Sequence, residues 1–338
     1  MLVGSQTWVF DRQPAILSTG VVGGPFEKDG RLTNDFDKFH VDLWMGKDSY
    51  EKAQTVLLED AVDIALRKKA LKGEDIQFFL AGDLINQITP TTFAARTNQI
   101  PYLGLFSACA ISTEGLGLAA MIINNGGAEY ILAGASSHNA SAERQFRYPT
   151  EYGGQKPPTA QWTVTGAGVA LVGSGNLVDS PHPRITSATI GKVIDMGLTD
   201  PFNMGGAMAP AAVDTIQRHL FDLDLDPSHY DLIVTGDLAE VGRNVALDLF
   251  GQKGVSIEET QFQDCGLLIY KKEQDVFAGA SGPACSAVVM YGHLLNEMKS
   301  GKYKRILFVA TGSLLSPLSF QQKESIPCIA HAVAIEYI

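Results

Sequence analysis

Cysteine is scarce in this chain of 338 residues: Cys109, Cys265, Cys285 and Cys328 stand far apart, with no CxxC pair. That spacing excludes a disulfide framework and a zinc ribbon, and it reads as four thiols of an intracellular protein. No apolar run approaches the roughly 18 residues a membrane-spanning helix needs. No charged, apolar leader of the secretory kind is recognisable. Basic charge is also short: 26 Lys and Arg against 37 Asp and Glu leave a formal net charge of -11. With no basic stripe to offset it, this argues against a nucleic-acid partner and gives no attraction to anionic lipid. Work at a membrane would require other proteins to bring the chain there.

What is present is an ordinary globular composition, 45% hydrophobic and 19% charged, in a length that suits two domains or two fused halves. Short apolar runs alternate with helical spacing. Strands are expected at Thr7 to Phe10, Ala15 to Val22, Ile76 to Ala81, Tyr102 to Phe106, Tyr130 to Gly134 and Gly166 to Gly173. Helices are expected at Ser49 to Lys69, Thr91 to Asn98 and from Cys109 onward, where Leu116, Ala119, Ala120 and Ile123 share a face. A second series follows. Strands are expected at Arg184 to Val193, Leu232 to Thr235, Arg305 to Thr311 and His331 to Tyr337, and helices at Ala211 to Leu220, Ala239 to Phe250 and Ser281 to Ser300. A hairpin-like piece falls at Gly266 to Tyr270. Such alternation predicts an α/β fold with a mostly parallel sheet covered by helices.

The two series share landmarks. Ala81-Gly82-Asp83-Leu84 ends a strand in the first, and Thr235-Gly236-Asp237-Leu238 ends one in the second. Cys109 opens a helix followed by a turn and a strand to Gly134; Cys285 does the same on the way to Gly312. A duplicated layer is expected, with halves at 1–180 and 181–338. Ligands in open α/β sheets bind beyond the carboxyl ends of strands. The loops after Gly82, Gly134, Gly236 and Gly312 would then converge on the Cys109 turn; the alternative is two domains with unrelated sites. Between the halves, 136–165 is rich in Gly, Pro, aromatics and cations, and it reads as a lid or interface element.

Ser107-Ala108-Cys109-Ala110 is the stretch around which this arrangement turns. A cysteine entering a helix N-terminus would have a lowered thiol pKa, and the backbone N–H groups there could receive an anion. The functional readings are an acyl-accepting nucleophile or an anion pocket. A buried small hydrophobe is the plain alternative.

A duplicated unit of this length, with a cysteine on the turn into the third helix, resembles the thiolase fold. That implies two pseudo-repeated βαβαβαββ halves in a layered αβαβα arrangement. Thr165-Gly166-Ala167-Gly168 resembles a turn of ketoacyl-synthase III enzymes, and Gly279-Ala280-Ser281-Gly282 resembles one of thiolases. Arg144 through Gly166, with Gln145-Phe146-Arg147-Tyr148-Pro149-Thr150-Glu151-Tyr152-Gly153-Gly154-Gln155 at its heart, together with Ser107 to Glu114, resembles the stage V sporulation protein AD family of spore-forming bacteria. The likeness runs essentially the whole chain.

The enzymes of this fold need a His, with a second His, Asn or Cys, to activate the thiol and stabilise an oxyanion. Where they carry the His, this chain has Asp237; where they carry the Asn, it offers Ala280 or Ser281. An Asp there would raise the thiol pKa. The family resemblance implies a non-catalytic protein that binds dipicolinic acid (pyridine-2,6-dicarboxylate), with calcium as a companion, and helps its movement into or out of the spore. Candidate ligand residues are Ser107, Cys109, Ser137, His138, Arg144, Arg147, Trp162, Asp237 and Ser281, with no other cofactor. The resemblance also implies a homodimer with Gly115 to Ala135 near the twofold, and membrane proteins of the same sporulation system as partners at the spore inner membrane. The alternative is an acyltransferase using Cys109, with an unconventional partner such as His138.

Overall fold

Alternation of large apolar residues with a period of two writes the sheet into the chain. In Phe78–Gly82, Phe79 and Ala81 face one core and Leu80 the other. In Arg305–Ser313, Ile306, Phe308 and Ala310 face one core and Leu307 and Val309 another. All of these side chains are buried, so the strands have no solvated face, as expected of a sheet covered on both sides. The computed structural model describes residues 1–146, 156–179 and 181–338.

Ten strands of the described residues lie on one hydrogen-bonded path. They are β1 (Ala15–Gly23), β2 (Phe78–Gly82), β3 (Tyr102–Gly104), β4 (Tyr130–Ser137), β5 (Gly166–Gly173), β6 (Pro183–Ile190), β7 (Leu232–Thr235), β8 (Phe262–Asp264), β9 (Arg305–Ser313) and β10 (Cys328–Tyr337). The spatial order is β8-β7-β9-β10-β6-β1-β5-β4-β2-β3. Outward from the centre, β1-β5-β4-β2-β3 is matched by β6-β10-β9-β7-β8. Each series has two antiparallel pairings followed by two parallel ones. Even the irregularity repeats: register shifts between Ile16 and Ser18 in β1, and between Ile185 and Ser187 in β6. The strand order of the first series therefore recurs in the second, and β1 meets β6 through Ala15 and Arg184.

Helices fill three layers. α1 (Tyr50–Arg67) and α2 (Thr89–Asn98) cover the outer face of the first series, and α5 (Met204–Leu223) and α6 (Ala239–Gln252) cover that of the second. Between the two lie α3 (Ile111–Asn124) and α7 (Pro283–Val288), whose Ser112 and Ser286 hydroxyls meet at 2.7 Å. α7 continues through a π-helical stretch, 289–294, into α8 (Leu295–Lys299). The αβαβα layering is the one the resemblance implies.

Several local expectations change. Gly266 to Tyr270 is no hairpin: Asp264 Oδ1 takes the Gly266 N–H at 2.9 Å and winds Cys265–Leu267 into a 3-10 turn. Ala280–Ser281 is a short strand, and the helix begins only at Pro283. The 136–165 segment is not one long loop. It contains α4 (Asn139–Phe146) and the short strand Trp162–Thr163, which pairs in parallel with Ala280–Ser281. β4 sits between β2 and β5, and the open edge of the sheet here is β3, with Leu103 and, just beyond it, Phe106 exposed; within 115–135 the turn Asn125 to Gly127 is at the surface.

Candidate functional site

The carboxyl ends of β2, β4, β7 and β9 gather around the Cys109 turn. Ala108 takes a left-handed angle, φ 53°, and 108–110 form a 3-10 turn that runs directly into α3. This turn rests on Gly312 of β9, where a Cβ would stand 2.2 Å from the Ser107 carbonyl oxygen. Glycine at that position lets the turn of the first series lie against a strand of the second.

Behind the thiol lies Asp237, wholly buried. Its Oδ2 accepts from Ser281 Oγ and from Gly282 N, each at 3.1 Å, and its Oδ1 accepts from Thr311 Oγ1 at 2.8 Å. Burial above all, then the Asp237 charge, hold the Cys109 thiol well above its ordinary pKa. Burial also pushes the Asp237 carboxyl up. Nearby Asp264 is pushed up to about 7, by burial first and then by Asp237, although it accepts from Thr235 Oγ1, Leu238 N and Ala239 N. The lowered thiol pKa expected at a helix N-terminus is thus overturned. Desolvation and a facing carboxyl outweigh the helix dipole, which is worth at most about 2 kcal/mol. The resting state is a neutral thiol.

In front of Cys109 opens a cavity of about 750 Å³. Cys109, Asp83, Thr163, Ser281 and Ser313 give it polar groups, and Phe106, Met204, Leu314 and Leu318 are among its apolar walls. Residues 84–88, between β2 and α2, form another side, and α4 contributes Ala142, Gln145 and Phe146.

Of the residues expected at the site, Cys109 and Ser281 line this cavity. Asp237 stands behind the thiol, off the cavity wall. Ser107 turns its hydroxyl to Glu114 Oε2 at 2.5 Å, and Ser137 donates to the Val164 carbonyl at 2.7 Å. His138 is buried elsewhere: Nε2 bonds the Leu43 carbonyl at 2.9 Å, the ring stacks on Tyr50 at 5.2 Å, and burial lowers its pKa. It is not among the residues that line the Cys109 cavity. Trp162 packs on Phe26, with Lys156 over its ring, because successive strand residues face opposite ways and Thr163 takes the cavity side. Arg144 pairs with Glu51 on the face of α4 away from the cavity, which belongs to Ala142, Gln145 and Phe146 at helical spacing. Arg147 lies outside the described residues.

Asp83, Gln145, Thr163 and Ser313 were not among the expected residues. The repeat could have found Asp83, which follows β2 as Asp237 follows β7; Ser313 directly follows the landmark Gly312. The apolar walls carry no local signal, since 314–318 come from a connection without periodicity. Among the described residues no group of three His, Cys, Asp or Glu could hold a metal ion, and no helix is long and apolar enough to cross a membrane.

Solved structures similar to this chain include a 3-oxoacyl-(acyl carrier protein) synthase III from Xanthomonas oryzae pv. oryzae (TM-score 0.60, 15% identity, covering 97% of this chain and 100% of that chain). An OleA variant from Xanthomonas campestris bound with cerulenin is also similar (TM-score 0.62, 14% identity, covering 97% of this chain and 98% of that one). At these identities they show the fold alone, a thiolase-like one. In sequence, Stage V sporulation protein AD of Bacillus subtilis (strain 168) is 50% identical over 337 residues, covering 99% of this chain and 98% of that protein. The family model for Stage V sporulation protein AD matches residues 4–336. A family match of that extent, on a thiolase-like scaffold whose cysteine faces an aspartate, places the conclusion beyond the fold: this chain belongs to the stage V sporulation protein AD family.

Proposed function

We propose that this chain is a ligand-binding member of its family in which the old nucleophile position has become part of a cradle. The observation that carries the reading is the buried Asp237 carboxyl beside Cys109, which together with burial holds the thiol above its ordinary pKa. Acyl transfer needs a base to take the thiol proton and donors to receive an oxyanion. A carboxyl in that place favours the thiol over the thiolate and, when ionised, donates nothing. The ligand we propose is dipicolinate, moved into the developing spore or released from it. The hydroxyls of Thr163 and Ser313, with the amides of Asn86 and Gln145, supply partners for two carboxylates. Asp83 on the same lining disfavours a bare dianion and suits the calcium chelate, whose charges cancel. Calcium would enter as part of the cargo, with oxygen ligands from the dicarboxylate.

The same proposal includes a homodimer, now through the open β3 edge, and membrane-embedded partners of the sporulation system, since the described helices offer no span of their own. Two experiments on one preparation test the ligand reading. Dipicolinate, with and without calcium, should raise the melting temperature in a saturable way. Incubation with acyl-CoA should leave the intact mass unchanged. Acylation that disappears in Cys109→Ser would instead establish the acyltransferase alternative, and a melting curve unmoved at millimolar dipicolinate would remove the ligand.

A further inference from the structure

A second cavity, of about 250 Å³, shares no lining residue with the one at Cys109. One wall is the N-terminal hairpin of Leu2–Val3 and Thr7–Val9, which pairs through its second strand with β6. A carboxylate of α5 fixes the turn of that hairpin: Asp222 Oδ2 accepts from Ser5 N at 3.3 Å, Gln6 N at 3.0 Å and Thr7 Oγ1 at 3.0 Å. The Gln6 side chain in turn donates to the Ile190 carbonyl at 2.7 Å. These bonds hold the wall in place without a ligand, as in most small-molecule sites. Leu2, Trp8, Ile190 and, from α3, Leu118 make the body of the cavity apolar.

Two polar side chains on this lining have no use in the Cys109 site. His331 of β10 is 5% exposed, and its Nδ1 accepts from Gly191 N at 3.2 Å, which puts the ring proton on Nε2. That N–H meets no acceptor among the described residues, and the ring lines the cavity. A donor left unpaired in a buried ring is costly, and an oxygen in the cavity would relieve it. The other group is Glu114 of α3, whose Oε2 accepts from Ser107 Oγ at 2.5 Å. Burial raises its carboxyl, no cation is among the groups that act on it, and no Lys or Arg lines the cavity.

We propose that this cavity binds a small organic amine that also carries an oxygen, an amino alcohol in its simplest form. The ammonium pairs with Glu114, the oxygen accepts from His331 Nε2, and the short carbon chain lies among Leu2, Trp8 and Leu118. An anion is repelled by Glu114, and an amine without oxygen leaves the His331 N–H unpaired. The volume falls below the roughly 300–1,000 Å³ of ordinary ligand pockets, which limits the ligand to a few carbons. This site does not depend on the dipicolinate reading.

The test titrates the full chain calorimetrically with aminopropanol, propylamine and hydroxypropionate, which keep the carbon chain and vary its polar ends. Aminopropanol should bind saturably, propylamine about fivefold more weakly for want of one hydrogen bond, and hydroxypropionate not at all. Glu114→Gln keeps an acceptor for the Ser107 hydroxyl but loses the charge, and aminopropanol should bind it about tenfold more weakly. Leu118→Phe puts a ring into the cavity from α3 and should abolish binding. A melting curve on each variant establishes that it is folded. Absence of saturable aminopropanol binding in the wild type at tens of millimolar overturns the proposal. So does hydroxypropionate binding as tightly as aminopropanol. Unchanged aminopropanol affinity in either folded variant also overturns it, because the amine would then sit elsewhere, as beside Asp83 in the Cys109 cavity.

Discussion

A thiol becomes a nucleophile by losing its proton, and at Cys109 burial and Asp237 both oppose that loss. Iodoacetamide should therefore alkylate native Cys109 far more slowly than a free thiol, and the rate should still climb about tenfold per pH unit as far as pH 9, where a free thiol levels off. Asp237→Asn removes the carboxyl that opposes ionisation, and its alkylation should be faster by about tenfold for each unit the thiol pKa falls. A native rate like that of free cysteine would contradict this description of the site. The Asp at the position of the expected His was legible in the sequence, and so was its effect on the thiol. Its position behind the thiol, off the cavity wall, was not. Nor could spacing show that Ser137 and His138 would bond with Val164 and Leu43, because those partners lie far along the chain, or that the Ser107 hydroxyl would turn back to Glu114 within its own stretch.

At the scale of elements, the Cys109 turn depends on a close approach to β9. Gly312→Ala places a Cβ 2.2 Å from the Ser107 carbonyl oxygen, so turn or strand must move. A loss of about 1–3 kcal/mol is expected in urea unfolding, the range for overpacking a filled site. Gly251→Ala in α6, where a Cβ meets nothing within 4 Å, should be neutral or slightly stabilising. Equal effects at the two positions would contradict the close approach. Elements with strong periodicity were legible: Gly166–Gly173 and Leu232–Thr235 stand where alternation and apolar runs put them. α5 begins at Met204, ahead of the expected Ala211, because Gly205, Gly206 and Pro210 hide a helix that tertiary packing stabilises. The 3-10 turn at Cys265 was misread although its cap is local: Asp264 directly before Cys265-Gly266 is a turn signal that the hairpin reading passed over.

For the whole molecule, buried carboxyls set the response to pH. Glu27 is raised to about 7 and Asp83 to about 6, each chiefly by burial, and Asp264 to about 7. Their unfolded values lie near 4. The folded chain therefore holds protons that the unfolded chain has lost, and this contribution to stability is full below about pH 4 and disappears as pH rises through 6 to 7. Burial keeps His331 at about 4 and His219 at about 3, which works the other way and weakens the fold as pH falls below about 6.5. The two sets oppose each other in mild acid; toward pH 8.5 the buried thiols of Cys109, Cys265, Cys285 and Cys328, all held above their ordinary value, add to the loss from the carboxyls. The melting temperature should be lower at pH 8.5 than at 6.5, and Glu27→Gln should shrink the difference; a rise from 6.5 to 8.5 would contradict the assignment. The duplicated topology was legible from two pairs of landmarks, whereas the cavity's shape depends on connections from both series and was not. The claim that joins these scales is that the Cys109 cavity holds a ligand without needing the thiol. Isothermal titration of dipicolinate into the wild-type chain and into Cys109→Ala tests it directly. Saturable binding in both, with affinities within about threefold because no thiolate chemistry is lost, is the predicted result. Absence of binding in the wild type, or its loss in Cys109→Ala, would contradict it.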